Sequence, residues 1–282
     1  MKNILVPTDF SEQANYALDL AHQIARKTSA KVKLLHVLEL PVASSFDASG
    51  EIPQTDEASH IFTIQLMEKT KEDINEILQN AKYKDIQLEG DVAIGNPYVH
   101  ISKVVAEQEM DLVVMGTQGA SGLEEILVGS NTEKVVRRAK CPVITVKTAA
   151  DANKIKNIVF ASDFRDELSK LAAKLKDLQK LFNATLHIVS INTPNNFETD
   201  RHYKKSINAF IKKYKIEKYT VTVYNDEREE DGIIYFSEDI DADMIAIATH
   251  GRLGLSHLLS GSIAEDIVNH SKRPVWTYNI RD

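Results

Sequence analysis

Two segments of the chain carry residue types that can bind a polar ligand: one suits a phosphate group, and the other can accept hydrogen bonds from a sugar. Gly116 and Gly119 lie three residues apart, and the pair Gly129-Ser130 begins ten residues after Gly119. Glycines let backbone N–H groups approach an anion closely, and a helix that starts there adds unpaired N–H donors and the positive end of its dipole. The second segment, residues 7–11, contains Asp9, whose carboxylate can accept hydrogen bonds from ribose hydroxyls. The spaced set of glycines favours phosphate binding, whereas any single glycine is better explained by a turn or a helix start.

None of the polar side chains near these segments is predicted to be catalytic. Ser130 has no general base at a motif distance, so its expected roles are to cap a helix and to donate to a phosphate. His36 ends a predicted buried strand, where we expect a packed residue near the mouth of the ligand site. His250 and His257 flank the second set of glycines and could meet a phosphate, but no Asp or Cys stands beside them at ligand spacing. We therefore predict neither a catalytic group nor a metal site.

Strand-like and helix-like segments alternate along the first half of the chain. Unbroken apolar runs predict five strands, at residues 4–6, 32–38, 86–94, 112–115 and 143–146. Helical spacing predicts helices over 14–25 and 61–78, residues 41–59 are predicted to form a long loop, and Asn96-Pro97 is typical of a helix start. The alternation predicts an α/β fold, with a parallel sheet covered on both faces and ligands bound at the carboxyl ends of its strands.

The chain contains an internal repeat of domain size. Residues 2–10 recur as 156–164, an offset of 154, and residues 111–119 recur as 243–251, an offset of 132. The second copy has therefore lost 22 residues (154 − 132) from its middle. This period is longer than that of solenoid repeats, so each copy is a whole domain. We predict domains over residues 1–147 and 155–282, joined by a polar, Ala-rich linker.

The composition excludes several classes of partner. The chain has 282 residues, with 34 basic and 41 acidic side chains and a net charge of -7. We expect no nucleic-acid partner and no anionic membrane surface, since both call for a basic face. Cys141 is the single cysteine, and no apolar run approaches the roughly 20 residues that span a bilayer. Because charge comes too early for a signal peptide, we expect a cytoplasmic protein.

The glycine pattern differs from two common nucleotide-binding motifs and agrees with a third. The chain has no G-x-x-x-x-G-K-[ST] segment and no G-x-G-x-x-G after its first predicted strand, which argues against a P-loop NTPase and a dinucleotide fingerprint. Here the chain resembles the universal stress protein family in its tandem two-domain form. ATP-binding members of that family carry G-x2-G-x9-G-[ST], which Gly116, Gly119 and Gly129-Ser130 match. Residues 7–11 and Cys141-Pro142-Val143 extend the resemblance.

The resemblance implies a fold and a ligand. It implies two tandem Rossmann-like domains of the adenine nucleotide alpha hydrolase-like type, each a five-stranded parallel sheet, whose fifth strands pair antiparallel as an intramolecular pseudo-dimer. In the first domain it implies ATP, which Mg2+ can accompany, with adenine near Thr8 and Val37, ribose on Asp9 and phosphates on the glycines and Ser130. The nucleotide-binding residues implied are Pro7, Thr8, Asp9, Val37, Met115, Gly116, Gly119, Gly129, Ser130 and Asn131.

The second copy keeps only part of this site. Ala248 replaces Gly116, Ala161 replaces Pro7, Arg165 replaces Ser11, and residues 225–231 bring five acidic side chains where the first copy has Gly95-Asn96-Pro97. We therefore expect one nucleotide per chain, with the second domain as a pseudo-symmetric partner. Its candidate site residues are Asp163, His250, Gly251, Arg252, Gly261 and Ser262.

Two classes of function remain open from the sequence. The first is an ATP-binding regulatory protein of stress response with at most slow hydrolysis, because the motifs contain no general base, Walker acidic residue or arginine finger. The second is an interaction module that takes no nucleotide and keeps the fold as a scaffold. A homodimer of whole chains is compatible with either.

Overall fold

The computed structural model describes residues 1–39, 57–117, 128–164, 168–249 and 262–280, with the backbone alone for residues 57–60 and Ser262. The strands are β1 (Asn3–Thr8), β2 (Lys31–Leu38), β3 (Gln87–Ile94), β4 (Leu112–Gly116), β5 (Val143–Val146), β6 (Asn157–Ala161), β7 (Thr185–Asn192), β8 (Tyr219–Asn225), β9 (Met244–Thr249) and β10 (Val275–Asn279). The helices are α1 (Glu12–Thr28), α2 (Glu57–Gln79), α3 (Pro97–Glu107), α4 (Ser130–Arg138), α5 (Ser169–Phe182), α6 (Asp200–Tyr214), α7 (Glu229–Asp239) and α8 (Ser262–His270).

The ten strands form one continuous sheet in the order β3-β2-β1-β4-β5-β10-β9-β6-β7-β8. Within each half all neighbouring strands are parallel, and in the first half Ile4 lies opposite Val32 and Leu5 opposite Val113. At the centre β5 and β10 pair antiparallel, with Ile144 opposite Trp276. The predicted fold, two five-stranded parallel sheets joined through their fifth strands, is confirmed. Trp276 is 2% exposed, so its ring is part of the buried joint between the halves.

Side chains on the two faces of the sheet build two separate cores. Successive residues of a strand point to opposite faces, so Ile4 and Val6 join one core while Leu5 joins the other. The first core contains buried residues of α1, α2, α5 and α6, and the second contains those of α3, α4, α7 and α8. Each half therefore has helices on both faces, and the strand ends remain available for a site.

Local capping explains where the first helices begin. Ser11 Oγ accepts the Ala14 N–H at the start of α1 (3.2 Å), and Asn96 Oδ1 accepts the Val99 N–H at the start of α3 (3.1 Å). With Pro97 as the first helical residue, the predicted start of α3 is confirmed. The prediction of a loop over residues 41–59 fails at its end, since α2 already begins at Glu57; residues 41–56 lie outside the described part of the chain. Across the described stretches, no helix combines the length and the apolar character needed to cross a membrane.

Candidate functional site

The candidate site is a cavity at the carboxyl ends of β1, β2 and β4, with a volume of about 370 Å³. It is lined by every described residue of the first-domain set, namely Pro7, Thr8, Asp9, Val37, Met115, Gly116, Gly129, Ser130 and Asn131. Gly119 lies outside the described residues. The fold thus brings together side chains more than a hundred positions apart in the chain, at the sheet edge where the sequence predicted them.

The turn after β1 is held rigid by its own polar groups. The Phe10 N–H donates to Thr8 Oγ1 (3.1 Å), and the Ser11 N–H donates to Asp9 Oδ1 (3.0 Å). Phe10 adopts a left-handed φ of 65°, a conformation that is uncommon for a residue other than glycine. The carboxylate of Asp9 is therefore fixed at the edge of the cavity before any ligand arrives.

His36 lies in the wall of this cavity and supports the same turn. Its Nδ1 lies 2.8 Å from the carbonyl oxygen of Thr8, and because a carbonyl can only accept, Nδ1 carries the hydrogen. The Phe10 ring stacks on the imidazole with ring centroids 4.7 Å apart. Burial lowers the pKa of His36 below its usual value, which favours the neutral ring. His36 acts here as a packed support, as the sequence predicted.

The other wall is the first turn of α4. Gly129 is the N-cap residue, and its N–H donates to the carbonyl of Thr117 (2.9 Å), which ties the helix start to the end of β4. Ser130 is the first helical residue, so the prediction that Ser130 caps the helix is wrong. The N–H groups of Ser130, Asn131 and Thr132 come before the first backbone bond inside the helix, from Glu133 to Gly129, so they have no partner within α4. Their residues line the cavity, which gives it an electropositive side.

Gly116 has a structural role that the sequence did not reveal. Its φ is not positive, and a Cβ added to it would lie 2.8 Å from the backbone carbon of Gln13 and 3.0 Å from the Ala14 nitrogen. The glycine therefore allows β4 to pack closely against the start of α1. In the second half Ala248 occupies the place of Gly116. The repeat offset of 154 would start α5 at residue 166, as the counterpart of Glu12, but α5 begins three residues later, at Ser169.

Glu39 is a site residue that the sequence analysis missed. It lines the cavity just beyond β2, and its Oε1 accepts a hydrogen bond from Asn131 Nδ2 (3.2 Å). The bond links the segment after β2 to α4 across the cavity. No motif surrounds Glu39, so only the contact with α4 identifies it. Pro97 and Ile101 of α3 also line the cavity. The sequence predicted Pro97 as part of a helix start but assigned neither residue to the site.

The second half repeats the turn with different chemistry. The Phe164 N–H donates to Ser162 Oγ (3.1 Å), and Phe164 has a φ of 54°, as Phe10 does in the first half. Ser190 takes the place of His36, and its hydroxyl donates to the carbonyl of Ser162 (3.1 Å). Asp163 follows in the same turn. His250, Gly251, Arg252 and Gly261 lie outside the described residues, and Ser262 begins α8.

The acidic segment of the second half forms the start of α7. By the offset of 132, Glu229 takes the place of Pro97, which lines the cavity of the first half. Glu229 Oε1 accepts a hydrogen bond from Thr193, just beyond β7, at 3.1 Å. Arg228 pairs with Glu230 and with Asp231. A carboxylate therefore stands at the strand ends of the second half where the first half has proline.

The described residues offer no ready-made metal site. Within the part of the chain that the structure covers, no three or more His, Cys, Asp or Glu side chains cluster so as to hold a metal ion. Cys141 is buried, and burial raises the pKa of its thiol to about 12. This thiol packs in the core as a small apolar group.

Comparison with known proteins identifies the family. The model of the universal stress protein family matches this chain twice, over residues 1–147 and 154–279. The chain belongs to the universal stress protein family. A universal stress protein of Methanocaldococcus jannaschii is 31% identical over 153 residues, which cover 52% of this chain and 94% of that one. A putative universal stress protein of Staphylococcus aureus is 32% identical over 148 residues, covering 52% of this chain and 84% of its own length.

Solved structures of universal stress proteins share the whole two-domain architecture. A universal stress protein from Archaeoglobus fulgidus superposes with a TM-score of 0.75 at 21% identity, covering 98% of each chain. A putative universal stress protein from Pseudomonas aeruginosa gives a TM-score of 0.65 at 20% identity, covering 99% of this chain and 93% of the other. At this level of identity the likeness concerns the fold, which is a tandem pair of universal stress protein domains.

Proposed function

We propose that this universal stress protein is an ATP-binding regulatory protein and that its first domain holds the nucleotide. The observation that carries the proposal is the convergence of a rigid Asp9 turn and the open first turn of α4 on one cavity. Ligand pockets typically measure about 300 to 1,000 Å³, so a cavity of about 370 Å³ suits an adenine nucleotide whose phosphates lie toward solvent.

The chemistry of the walls suggests an orientation for the ligand. Val37, Met115 and Ile101 offer an apolar surface to a base, and Asp9 offers a carboxylate to the ribose. The three unpartnered N–H groups of α4 face the phosphates. Each helix-terminal contact contributes on the order of 0.3 to 1 kcal/mol at an exposed site, so several together are needed to hold a polyphosphate.

A magnesium ion in this site would come with the nucleotide. Mg2+ is usually held by one or two carboxylates together with substrate phosphates, and it keeps several waters. Glu39 and Asp9 are the carboxylates in the cavity wall, and the described residues provide no complete metal site. The residues present therefore suit an ion that the phosphates bring. Glu39 would repel bare phosphates, so we expect Mg2+ to strengthen binding.

Hydrolysis should be slow or absent. Among the described residues of the cavity wall, His36 holds the Thr8 carbonyl through Nδ1, and the Glu39 carboxylate accepts the Asn131 amide. Neither is placed as a dedicated base for an attacking water. Ordinary enzymes turn over at about one per second or faster, and we expect steady-state phosphate release well below that rate.

The two domains are proposed to be unequal. The proposal is supported by Glu229, which takes the place of Pro97 and bonds Thr193 just beyond β7, so the second half has a carboxylate where the first half has proline. Ala248 and Ser190 also replace Gly116 and His36. We propose one nucleotide per chain, with the second domain serving as a pseudo-symmetric partner.

Titration calorimetry on protein shown to be nucleotide-free tests this function. We expect one ATP site per chain, little binding of nicotinamide dinucleotides, and loss of binding in Gly119→Val. The matched variant Gly251→Val should bind as the unaltered chain does. Ligand at about 100 times its dissociation constant adds about 2.7 kcal/mol of stability, so ATP should also raise the melting temperature. No binding of ATP with Mg2+ would favour the interaction module, and two equal sites would refute the asymmetry.

A further inference from the structure

The second domain contains a strongly basic stretch that the net charge of the whole chain conceals. Residues 169–218, which hold α5, β7, α6 and the turn before β8, contain 11 basic and 4 acidic side chains, a net charge of +7 (11 − 4). The remainder of the chain therefore carries -14 (-7 − 7). The corresponding stretch of the first domain, residues 15–86, has 8 basic and 11 acidic side chains, a net charge of -3 (8 − 11). Because both copies share one fold, the fold itself does not require the basic charge.

Helix α6 presents part of this charge as a row along its solvent side. The core side of the helix consists of its buried residues, Tyr203, Ile207, Phe210 and Ile211. Arg201, Lys205 and Lys212 are exposed and lie four and seven residues apart, which places them in line on the opposite side. At 1.5 Å per residue the row is about 16 Å long. Lys204 pairs with Asp200 (3.3 Å), whereas none of the three residues in the row forms an ion pair among the described residues.

Further cations lie beside this row, because α5 and α6 pack against each other. Lys176 Nζ of α5 donates to the carbonyl of Tyr214 in the last turn of α6 (3.2 Å). Lys180 is exposed one turn further along the same side of α5, and Lys215 is exposed directly after α6. The basic surface thus extends over two neighbouring helices. We call it the α6 basic face and define it by Lys180, Arg201, Lys205, Lys212 and Lys215.

The α6 basic face is separated from the acidic parts of the molecule. It lies on the side of the sheet that α5 and α6 cover, whereas α7, with its acidic first turn, packs on the other side. Within the sheet, β6 lies five places from β1, which is about 24 Å at about 4.8 Å between strands. Since the Debye length is about 10 Å at about 0.1 M salt, the charge of the first domain is largely screened there. The expectation of no nucleic-acid partner rested on the net charge of the whole chain, and the structure has the local basic face that such a partner requires.

We propose that the α6 basic face binds a double-stranded nucleic acid through its phosphate backbone, without reading its sequence. A duplex carries one negative charge per about 3.4 Å along each strand, so a row of cations about 16 Å long meets several phosphates at once. The other exposed side chains on the solvent side of α6 are His202, Asn208 and Ala209. They include no large apolar group to enter a bilayer and no Trp, Tyr or Phe on which the bases of a single strand would stack. Lysine contacts with phosphates fix position and carry no sequence information.

Fluorescence anisotropy of a labelled DNA duplex, titrated with the full chain in the presence of saturating ATP, tests the proposal. The candidate nucleotide site lies in the other half of the molecule, so binding of the duplex does not depend on the proposed function. We expect a dissociation constant between about 1 and 100 μM near physiological salt, with the same value for a second duplex of unrelated sequence. The logarithm of the binding constant should fall linearly with the logarithm of the salt concentration, with a slope of about -0.9 for each phosphate contacted.

Variants of the full chain show whether the row on α6 is responsible. Lys205→Gln combined with Lys212→Gln should weaken binding of both duplexes and make the salt slope shallower by about 2, while glutamine preserves the helix. The matched control is Lys69→Gln combined with Lys71→Gln, which removes two exposed charges from α2, the counterpart of α6 in the first domain, and should leave binding unchanged.

Four results would overturn the proposal. Anisotropy that stays constant up to millimolar protein at low salt would show that the duplex does not bind. Equal weakening in the two double variants would show that the α6 basic face is not the binding surface. A duplex that ATP displaces would belong to the candidate nucleotide site. Binding of vesicles that contain phosphatidylserine, without binding of either duplex, would assign the face to a membrane surface.

Discussion

The backbone N–H of Val128, in the first domain, donates a 2.6 Å hydrogen bond to the side-chain oxygen of Asn269, in the second. Val128 comes directly before the Gly129 cap of α4, so the second domain holds the approach to the first domain's candidate phosphate site. The carbonyl of Asn269 also accepts Lys147 Nζ (2.6 Å), and the pseudo-symmetric bond runs from Asn279 Nδ2 to the carbonyl of Arg137 (2.9 Å). Asn269 thus holds two separate points of the first domain, Val128 through its side chain and Lys147 through its carbonyl.

Asn269→Ala should therefore weaken ATP binding in the first domain. One hydrogen bond contributes about 0.5 to 1.5 kcal/mol, so we expect about a three- to tenfold loss of affinity by calorimetry. Asn279→Ala is the matched control, because it removes an interdomain bond of the same kind without touching Val128. Amide hydrogen exchange at Val128, recorded without nucleotide, should speed up in Asn269→Ala alone. Equal affinity in both variants would mean that the second domain does not position the site.

Gly116→Ala should destabilise the first domain even without a ligand. The new methyl group would press on the backbone of Gln13 and Ala14, and overpacking of this kind costs about 1 to 3 kcal/mol. Denaturation in urea measures the loss, with Ala248→Gly in the second half as the comparison variant. We expect the smaller effect from Ala248→Gly, since glycine within a strand costs about 0.5 to 1 kcal/mol. Unchanged stability combined with lost ATP binding would show that Gly116 serves the ligand and not the packing.

His36→Ser should make the stability of the protein less sensitive to acid. Burial lowers the pKa of His36 in the folded protein. Below about pH 6.5 the unfolded chain therefore takes up a proton at this residue more readily than the folded chain does. The free energy of unfolding falls as a result when the solution is made acidic. Serine copies Ser190 of the second half, whose hydroxyl donates to the carbonyl of Ser162 as the His36 ring donates to that of Thr8. Unfolding free energies from about pH 7.5 to 5 should fall more steeply in the unaltered chain than in His36→Ser. Parallel curves would place the pH dependence elsewhere, for example at His187, whose pKa burial also lowers.

The Cys141 thiol should resist modification until the protein unfolds. Its pKa of about 12 leaves almost no thiolate at neutral pH, and the thiolate is the reactive form. An aromatic disulfide reagent should react slowly with the native chain and rapidly in denaturant. In a Cys141→Ser background, Lys205→Cys supplies an exposed thiol on α6 as the control and should react at once. Fast labelling of Cys141 in the native protein would contradict the burial of this side chain.

Much of the fold follows from local patterns in the sequence. Apolar runs alternating with helical spacing predict the parallel sheet, and the repeat predicts that the second half copies the first. The start of α3 at Asn96-Pro97 depends on a side chain that bonds an N–H three residues away, so it can be predicted from neighbours alone. The position of Asp9 and the glycines at one sheet edge follows in turn, because the carboxyl ends of parallel strands lie together.

The tertiary structure decided what no local pattern contains. Gly116 lies next to Gln13, Asn131 meets Glu39, and Val128 meets Asn269, 141 positions away. Such contacts depend on how the helices pack on the sheet and on how the two halves meet at β5 and β10. The sequence by itself determined the repeat, the family and the alternation of strands and helices that builds two parallel sheets. Only packing determined that Asn269 of the second domain bonds Val128 of the first, because residues far apart in the chain become neighbours only in the folded molecule.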